Sequence, residues 1–351
     1  MLFTVLRVDP LPAQSFSGRT LPGGGLSIRH GAPVPPEVRT IYEGGLRFLA
    51  DTQLEDGSWQ SQYSSGPGIV ALCCLAFLSQ GDDANFGRYA EPIHRALRYI
   101  VKSQDPSTGF ISQNQGGHGS MYEHGFATLT LAEAYGAVDE VLLWAGAEAS
   151  AERRTLGQAL ELAVRASLGS QEANPFSAWR YSPTAKDADT SVSGAILVSL
   201  LAARNAGIEI ADEKIDKALQ YYENSTLPSG DVSYSGGMGG GQSMARTAIS
   251  CLVFAIAKRK TSEPHQATLK NLVDNVDQDS HMGHPYYTRY YVAQALFQGD
   301  FDAWSRWNER TTGLVLEEQG DDGVIGGDAY STSMSLLALA LNFRFLPIYE
   351  R

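Results

Sequence analysis

The sequence predicts an all-α fold, with six helical hairpins closed into an α/α toroid and an irregular N-terminal arm. Three observations predict it. Amphipathic, charged segments alternate with segments that are small and apolar all round. A loop pattern, Gln53-Leu54-Glu55-Asp56-Gly57-Ser58-Trp59, returns as Gln104-Asp105-Pro106-Ser107-Thr108-Gly109-Phe110 and as Gln319-Gly320-Asp321-Asp322-Gly323, with a looser copy from Gln171 to Trp179. The first and last apolar segments are as apolar as the middle ones, so the array lacks the polar ends of an open solenoid and closes into a ring.

Residues 1–34 are rich in Gly, Pro and Ser without a helical period, and read as an extended arm. The toroid is expected over 35–351 as one domain. Pro35-Pro36 suits a first helical turn. The first hairpin then pairs Val38–Thr52, with Ile41, Leu46, Phe48 and Leu49 among Arg39, Glu43, Arg47 and Asp51, with the apolar run Ile69–Leu78. An amphipathic helix covers a surface and an all-round apolar helix is buried, which assigns the two to an outer and an inner layer. The second pair is Arg88–Ser103 with Tyr122–Tyr135. The third is Ala151–Gly169, preceded by an insertion at Val138–Ser150, with Thr190–Asn205. The fourth is Asp212–Asn224 with Ser243–Lys258, the fifth Pro264–Val276 with Pro285–Gln298, and the sixth Phe301–Glu318 with Tyr330–Phe343.

The recurring loop has a mechanical reading. A glycine just past a helix takes the left-handed conformation that ends it, and Asp before Gly is turn chemistry. The glutamine is placed to bond free carbonyls or a neighbouring loop. The aromatic residue, Trp59, Phe110 or Trp179, is placed to staple adjacent repeats.

Composition excludes several classes. A net charge of -12 over 351 residues argues against general nucleic-acid binding and against anionic membrane surfaces. No segment approaches the roughly 18 apolar residues of a membrane span, and Met1–Arg7 is too short for a secretory apolar core, so a cytoplasmic location is expected. Cys73, Cys74 and Cys251 form no Cys-x-x-Cys pair and read as small buried hydrophobes. No cofactor is called for. Gly236–Gly241 lacks the Lys-Ser/Thr ending of a phosphate loop and reads as a flexible loop.

A helix ending in Gln, then Asp-Gly and an aromatic, then a small-residue inner helix, resembles the QW-type repeat of squalene cyclases and protein prenyltransferase β subunits. The resemblance covers about residues 35–351 and implies the α/α toroid of the terpenoid cyclase superfamily. The chain is also similar to bacterial prenyltransferase and squalene oxidase repeat proteins, through Trp179-Arg180-Tyr181-Ser182-Pro183 running to Asp189-Thr190-Ser191, through His284-Pro285-Tyr286-Tyr287 and Tyr330-Ser331-Thr332, and through Leu346-Pro347-Ile348-Tyr349.

The resemblance implies where chemistry would sit. In the cyclases an aspartate two places before a threonine protonates the substrate. Aligned on Thr190, that position is Ala188, and only Asp189 matches the motif. Asp187 and Asp189 are therefore the acid candidates, against the simpler reading that Asp189 caps its helix. The prenyltransferase zinc set, an Asp-x-Cys pair with a distant His, is absent. His284 stands where the His would be, without its partners. The Gly-Cys-Gly-Glu-Gln of thioester proteins is also absent.

In a closed ring the starts of the inner helices converge on one mouth. The polar and aromatic residues there are His118, Glu123, His124, Asp187, Asp189, Arg246, His281, His284, Tyr286, Tyr287, Arg289, Asp328 and Tyr330. Of these, Glu123, His124, Arg246, His284, Tyr286, Tyr287, Asp328 and Tyr330 are the expected binding residues of the mouth. Three functional readings stay open. The leading one is a cavity that binds, or binds and transforms, an apolar isoprenoid-like small molecule. The others are a non-catalytic module for a protein or glycan partner, and a carbohydrate-active enzyme using Tyr, His and Arg. A deep apolar wall favours isoprenoids, a shallow polar groove favours glycans and a filled centre favours scaffolding.

Overall fold

The computed structural model describes residues 34–62, 65–113, 120–147, 153–235, 241–277 and 283–349. The expected arm, apart from Val34, and most of the Gly236–Gly241 loop lie outside the described residues, as do His118 and His281. Among the described residues there are 13 α-helices and no strand.

Six helices form the outer layer: α1 (Pro36–Thr52), α3 (Ala90–Lys102), α6 (Leu156–Ala173), α8 (Asp212–Ser225), α10 (Glu263–Asn275) and α12 (Phe301–Glu318). Six form the inner layer: α2 (Pro67–Ser79), α4 (Ser120–Ala134), α7 (Thr190–Asn205), α9 (Met244–Ile256), α11 (Pro285–Gly299) and α13 (Ala329–Leu339). The insertion before the third pair holds a short helix, α5 (Glu140–Leu143). The layers follow the sequence patterning. Every residue of α2 is buried, whereas α3 buries Ile93, Ala96, Leu97, Ile100 and Val101 and turns Lys102 outward.

Each inner helix packs on the next in chain order, and α13 packs on α2, so the ring closes. The closing joint is laced by specific bonds. Tyr42 of α1 donates to the Leu336 carbonyl at 2.6 Å, and Gln319 Nε2 donates to the Ile41 carbonyl at 2.9 Å.

That glutamine bond belongs to a repeating device. Gln53, Gln104, Gln171 and Gln319 each donate Nε2 to a carbonyl of their own loop and to a carbonyl in the next outer helix, namely Pro92, Ala159, Lys214 and Ile41. The glycine of the loop, at φ between 78° and 93° in Gly57, Gly109, Gly230 and Gly323, lies against the next outer helix. Ser177 takes the left-handed place in the third loop at φ 52°. The aromatic residue acts differently from the expectation. Trp59 Nε1 donates to Leu49 of its own outer helix at 2.7 Å, and Trp179 Nε1 to Ser167 at 3.0 Å. The indole thus fastens the loop to its own helix, and the glutamine joins the repeats. The Trp59 ring lies 6.4 Å from Phe77 on the inner helix of its own hairpin.

The ring axis is occupied by side chains. α4 and α11 are opposite members of the ring. Across the axis the Tyr122 and Tyr287 rings lie 6.3 Å apart, and one turn deeper the Phe126 and Tyr290 rings lie 6.4 Å apart. At the other end, where inner helices finish, the segment after α13 runs to a single turn at Pro347–Tyr349 that packs on α7, the helix opposite α13. Leu346 and Ile348 are buried there, and the Ile348 N–H points to Glu133 Oε2 at 3.5 Å. The three cysteines are buried and unpaired, as expected.

Candidate functional site at the mouth of the ring

The loops that enter the inner helices lace to one another. The Met121 N–H at the start of α4 donates to the Tyr181 carbonyl at 3.2 Å, and the Thr190 N–H at the start of α7 donates to the Tyr234 carbonyl at 3.1 Å. Free N–H groups of one inner helix are thus satisfied by the next repeat's loop. Tyr181 and Tyr234 hold equivalent places, each two residues beyond the buried loop residue, Trp179 or Val232.

This lacing brings their side chains together. The Tyr181 and Tyr234 hydroxyls are 2.6 Å apart, and Tyr181 donates to Asp189 Oδ2 at 3.4 Å. Arg180 lies over both rings, at 5.2 Å from Tyr181 and 5.6 Å from Tyr234, and Arg246 lies 5.8 Å from Tyr234. The Tyr181 ring is 6.5 Å from Tyr122, which is hydrogen-bonded to the Ser191 and Tyr287 side chains. Tyr287 continues to Tyr291 at 4.8 Å. A connected wall of tyrosine, arginine and aspartate therefore spans the second to fifth inner helices.

Tyr122 and Tyr287 keep some accessible surface although both are deeply desolvated, as in a concave wall. Burial, with nearby phenols, pushes Tyr122, Tyr287 and Tyr291 well above the ordinary phenol range. Tyr234 is raised first by its bond to Tyr181, then by burial and by Asp189. These hydroxyls stay protonated at neutral pH. They serve as hydrogen-bond groups and not as bases.

Asp189 is 1% exposed, and its Oδ1 accepts the N–H groups of Ser191 and Val192 at 2.8 and 3.0 Å. It caps α7, the simpler of the two readings its sequence allowed, while its other oxygen faces the tyrosines. Ala188, at the protonating position, is 1% exposed and carries no proton to give. Asp187 is exposed and pairs with Arg180 at 2.7 Å.

Asp187, Asp189, Arg246 and Tyr287 are thus brought together. Tyr330 borders this wall through Tyr291, and the other expected residues lie elsewhere. His124 is 0% exposed, in the core rather than at the mouth. Its Nδ1 accepts the Ile111 N–H at 3.1 Å, so the proton sits on Nε2, which faces the Ala163 carbonyl at 3.1 Å and Ser167 Oγ at 3.0 Å. Ser193 and Thr332 do the same service for the third and sixth loops. Glu123 accepts from Ser112 Oγ and the Gln113 N–H, and holds the second loop. Asp328 accepts from Ser331 at the start of α13 and from Ser61 and Gln62 of the first loop, across the ring's joint. Burial raises the Asp328 carboxyl, but these donors outweigh it and hold it below the usual range. Arg289 forms a bidentate pair with Glu318 at 2.6 and 2.7 Å and lies over Tyr286. His284 is an exposed residue at φ 54° without a side-chain cap bond. Tyr330 is partly buried and close enough to Tyr291 to raise its phenol.

No site role is assigned by the sequence to Tyr122, Arg180, Tyr181, Ser191 and Tyr234. A signal for two of them was present, since Tyr181 and Tyr234 share one register behind the loop residue. A polar cleft of about 500 Å³ also opens between the Glu55–Asp56 turn and α3, but it is on the outer surface, and its two arginines both pair with Glu91, Arg98 at 2.9 Å. No group of three or more metal-ligating side chains occurs among the described residues.

Burial lowers the His124 imidazole to about 4. The unfolded chain takes up this proton near its ordinary value of 6.5 and the folded chain does not. Stability is therefore full above about pH 6.5 and falls as pH drops toward about 4, by ~3 kcal/mol in all. Urea denaturation at pH 7.5 and pH 4.5 is expected to show that loss, and His124→Gln is expected to flatten this part of the profile while lowering stability at pH 7.5.

No protein-family model matches the chain, and no curated protein does. Solved structures do. The GH76A α-1,6-mannanase of Salegentibacter sp. HEL1_6 superposes with a TM-score of 0.60 at 9% identity, covering 88% of this chain and 99% of that one. A variant of the type II terpene cyclase MstE from Scytonema superposes with a TM-score of 0.55 at 14% identity, covering 88% and 98%. A protein from Actinoplanes gives 0.57 at 13% identity, covering 88% and 99%. The chain has the α/α-toroid fold. At these identities the likeness shows the fold alone, shared by a glycosidase and a terpene cyclase. No helix of the described residues is long and apolar enough to cross a membrane.

Proposed function

We propose that the mouth of the toroid binds a glycan, held by the tyrosine wall of Tyr122, Tyr181, Tyr234 and Tyr287 and by the charged groups beside it. The observation that sets this reading against an isoprenoid cavity is the pair of transannular ring contacts at 6.3 and 6.4 Å, which fill the axis below the mouth, leave only a shallow polar surface above it, and as a filled centre favour a non-catalytic module. An isoprenoid needs a long apolar well. What lies above these contacts is a wall of rings that end in hydroxyls, suited to stacking on sugar faces while bonding sugar hydroxyls. One of the superposing proteins, the Salegentibacter mannanase, is known as an inactive variant in complex with α-1,6-mannotriose. MstE is known with geranylgeranyl dihydroxybenzoate.

The protein acts by binding in this reading. Asp189 is committed to the α7 cap, the wall phenols stay protonated, and Ala188 stands at the cyclase acid position, so the arrangement supplies recognition groups and no free general acid. Calorimetric titration with α-1,6-mannotriose, trigalacturonate, geranylgeranyl diphosphate and solubilised squalene tests it. A saccharide is expected to bind, with Tyr181→Ala weakening it by roughly tenfold or more. Binding of the prenyl compounds alone would overturn the proposal.

A further inference from the structure

We infer that the ligand of this mouth is an acidic glycan, whose carboxylate takes the place of Asp187 on the Arg180 guanidinium; the inference rests on the glycan reading above. The two members of the Arg180–Asp187 pair are held very differently. Arg180 is pinned by stacking on Tyr181 and Tyr234 at 5.2 and 5.6 Å, and three quarters of its side chain is buried, with 25% exposed. Asp187 sits in the loop before α7 with its side chain 58% exposed. Its backbone carbonyl is tied to Asn174 Nδ2 at 2.9 Å, and its carboxylate is bonded to Arg180. When the pair opens, the aspartate swings into solvent and the guanidinium stays.

The retained group is also the better receptor. A guanidinium offers paired N–H donors to a carboxylate, and one that is stacked loses little freedom on binding. Exchange of one carboxylate for another keeps the guanidinium paired, and the Tyr181 and Tyr234 hydroxyls lie beside it as further partners for a sugar. Asp189 does not compete, because its oxygens serve the α7 N–H groups and the tyrosine hydroxyls. The chain's net charge of -12 opposes an acidic ligand. That field is screened beyond about 8 Å at physiological salt, whereas the exchange takes place at contact distance.

The test is titration of the full chain with trigalacturonate and with neutral α-1,6-mannotriose at 150 mM salt, using the wild type, Asp187→Asn, Arg180→Lys and Arg180→Ala, with a melting curve for each to verify folding. The expected result is a preference for the acidic trisaccharide of roughly tenfold. Asp187→Asn should widen the preference several-fold by removing the internal competitor, Arg180→Lys should narrow it, and Arg180→Ala should abolish it. Equal or tighter binding of mannotriose, with a ratio unmoved by these changes, would overturn the acidic specificity and leave the glycan reading standing. Binding of neither saccharide would overturn the glycan reading and this inference with it.

Discussion

Gly323→Ala is expected to destabilise the protein by about 3 kcal/mol or more, out of proportion to the single methyl group added. Gly323 sits at φ 89°, where an L side chain is strained. An added Cβ would also lie 2.2 Å from the Gly44 carbonyl oxygen, a backbone atom of α1 that is unable to step aside like a flexible side chain. Relief requires the sixth loop to lift off the first outer helix. That movement pulls Gln319 from the Ile41 carbonyl and loosens the joint at which the last repeat meets the first. Gly313, also in the sixth repeat but exposed within α12 and with nothing near its missing Cβ, is the control. Gly313→Ala is expected to stabilise by about 0.5–1 kcal/mol through helix propensity. Urea denaturation of both variants measures the contrast, and equal effects would show that the close approach at Gly323 carries no strain.

Phe126→Ala is expected to cost about 3–5 kcal/mol and to leave an apolar void on the ring axis. Phe126 is 6% exposed and meets Tyr290 from the opposite side of the ring. With the ring gone, Tyr290 loses its partner, and the packed inner helices are held too firmly by their neighbours to close the gap. Such voids stay dry and take small apolar guests. Benzene is therefore expected to raise the melting temperature of the variant and to leave that of the wild type unchanged. A wild-type protein that is itself stabilised by benzene would mean that the axis is not filled.

The fold was legible in the sequence because its two periodicities are strong. Thr190–Asn205 and Phe301–Glu318 match their helices end to end, and the other boundaries differ by a few residues. The glutamine–glycine loop was legible as a repeat because each copy solves the same mechanical problem. The site was less legible, for a physical reason. A polar residue near a helix start reads the same whether it faces the mouth, a neighbouring loop or the core. His124 has the sequence context of a mouth residue, yet it fills the slot that Ser193 and Thr332 fill elsewhere. Glu123 and Asp328 spend their carboxylates on holding loops. Tyr181 and Tyr234 were not expected at the site because nothing in the local sequence says that two residues 53 apart will place their hydroxyls 2.6 Å from each other. That contact follows from the lacing of successive loops, which only the assembled ring creates.

The most direct test of the account is native mass spectrometry of the freshly purified full chain, offered an equimolar mixture of trigalacturonate, α-1,6-mannotriose, geranylgeranyl diphosphate and squalene. The account predicts a one-to-one saccharide adduct that Tyr181→Ala removes, and no prenyl adduct. A one-to-one prenyl adduct, carried through purification or formed in the mixture and retained by Tyr181→Ala, would contradict it.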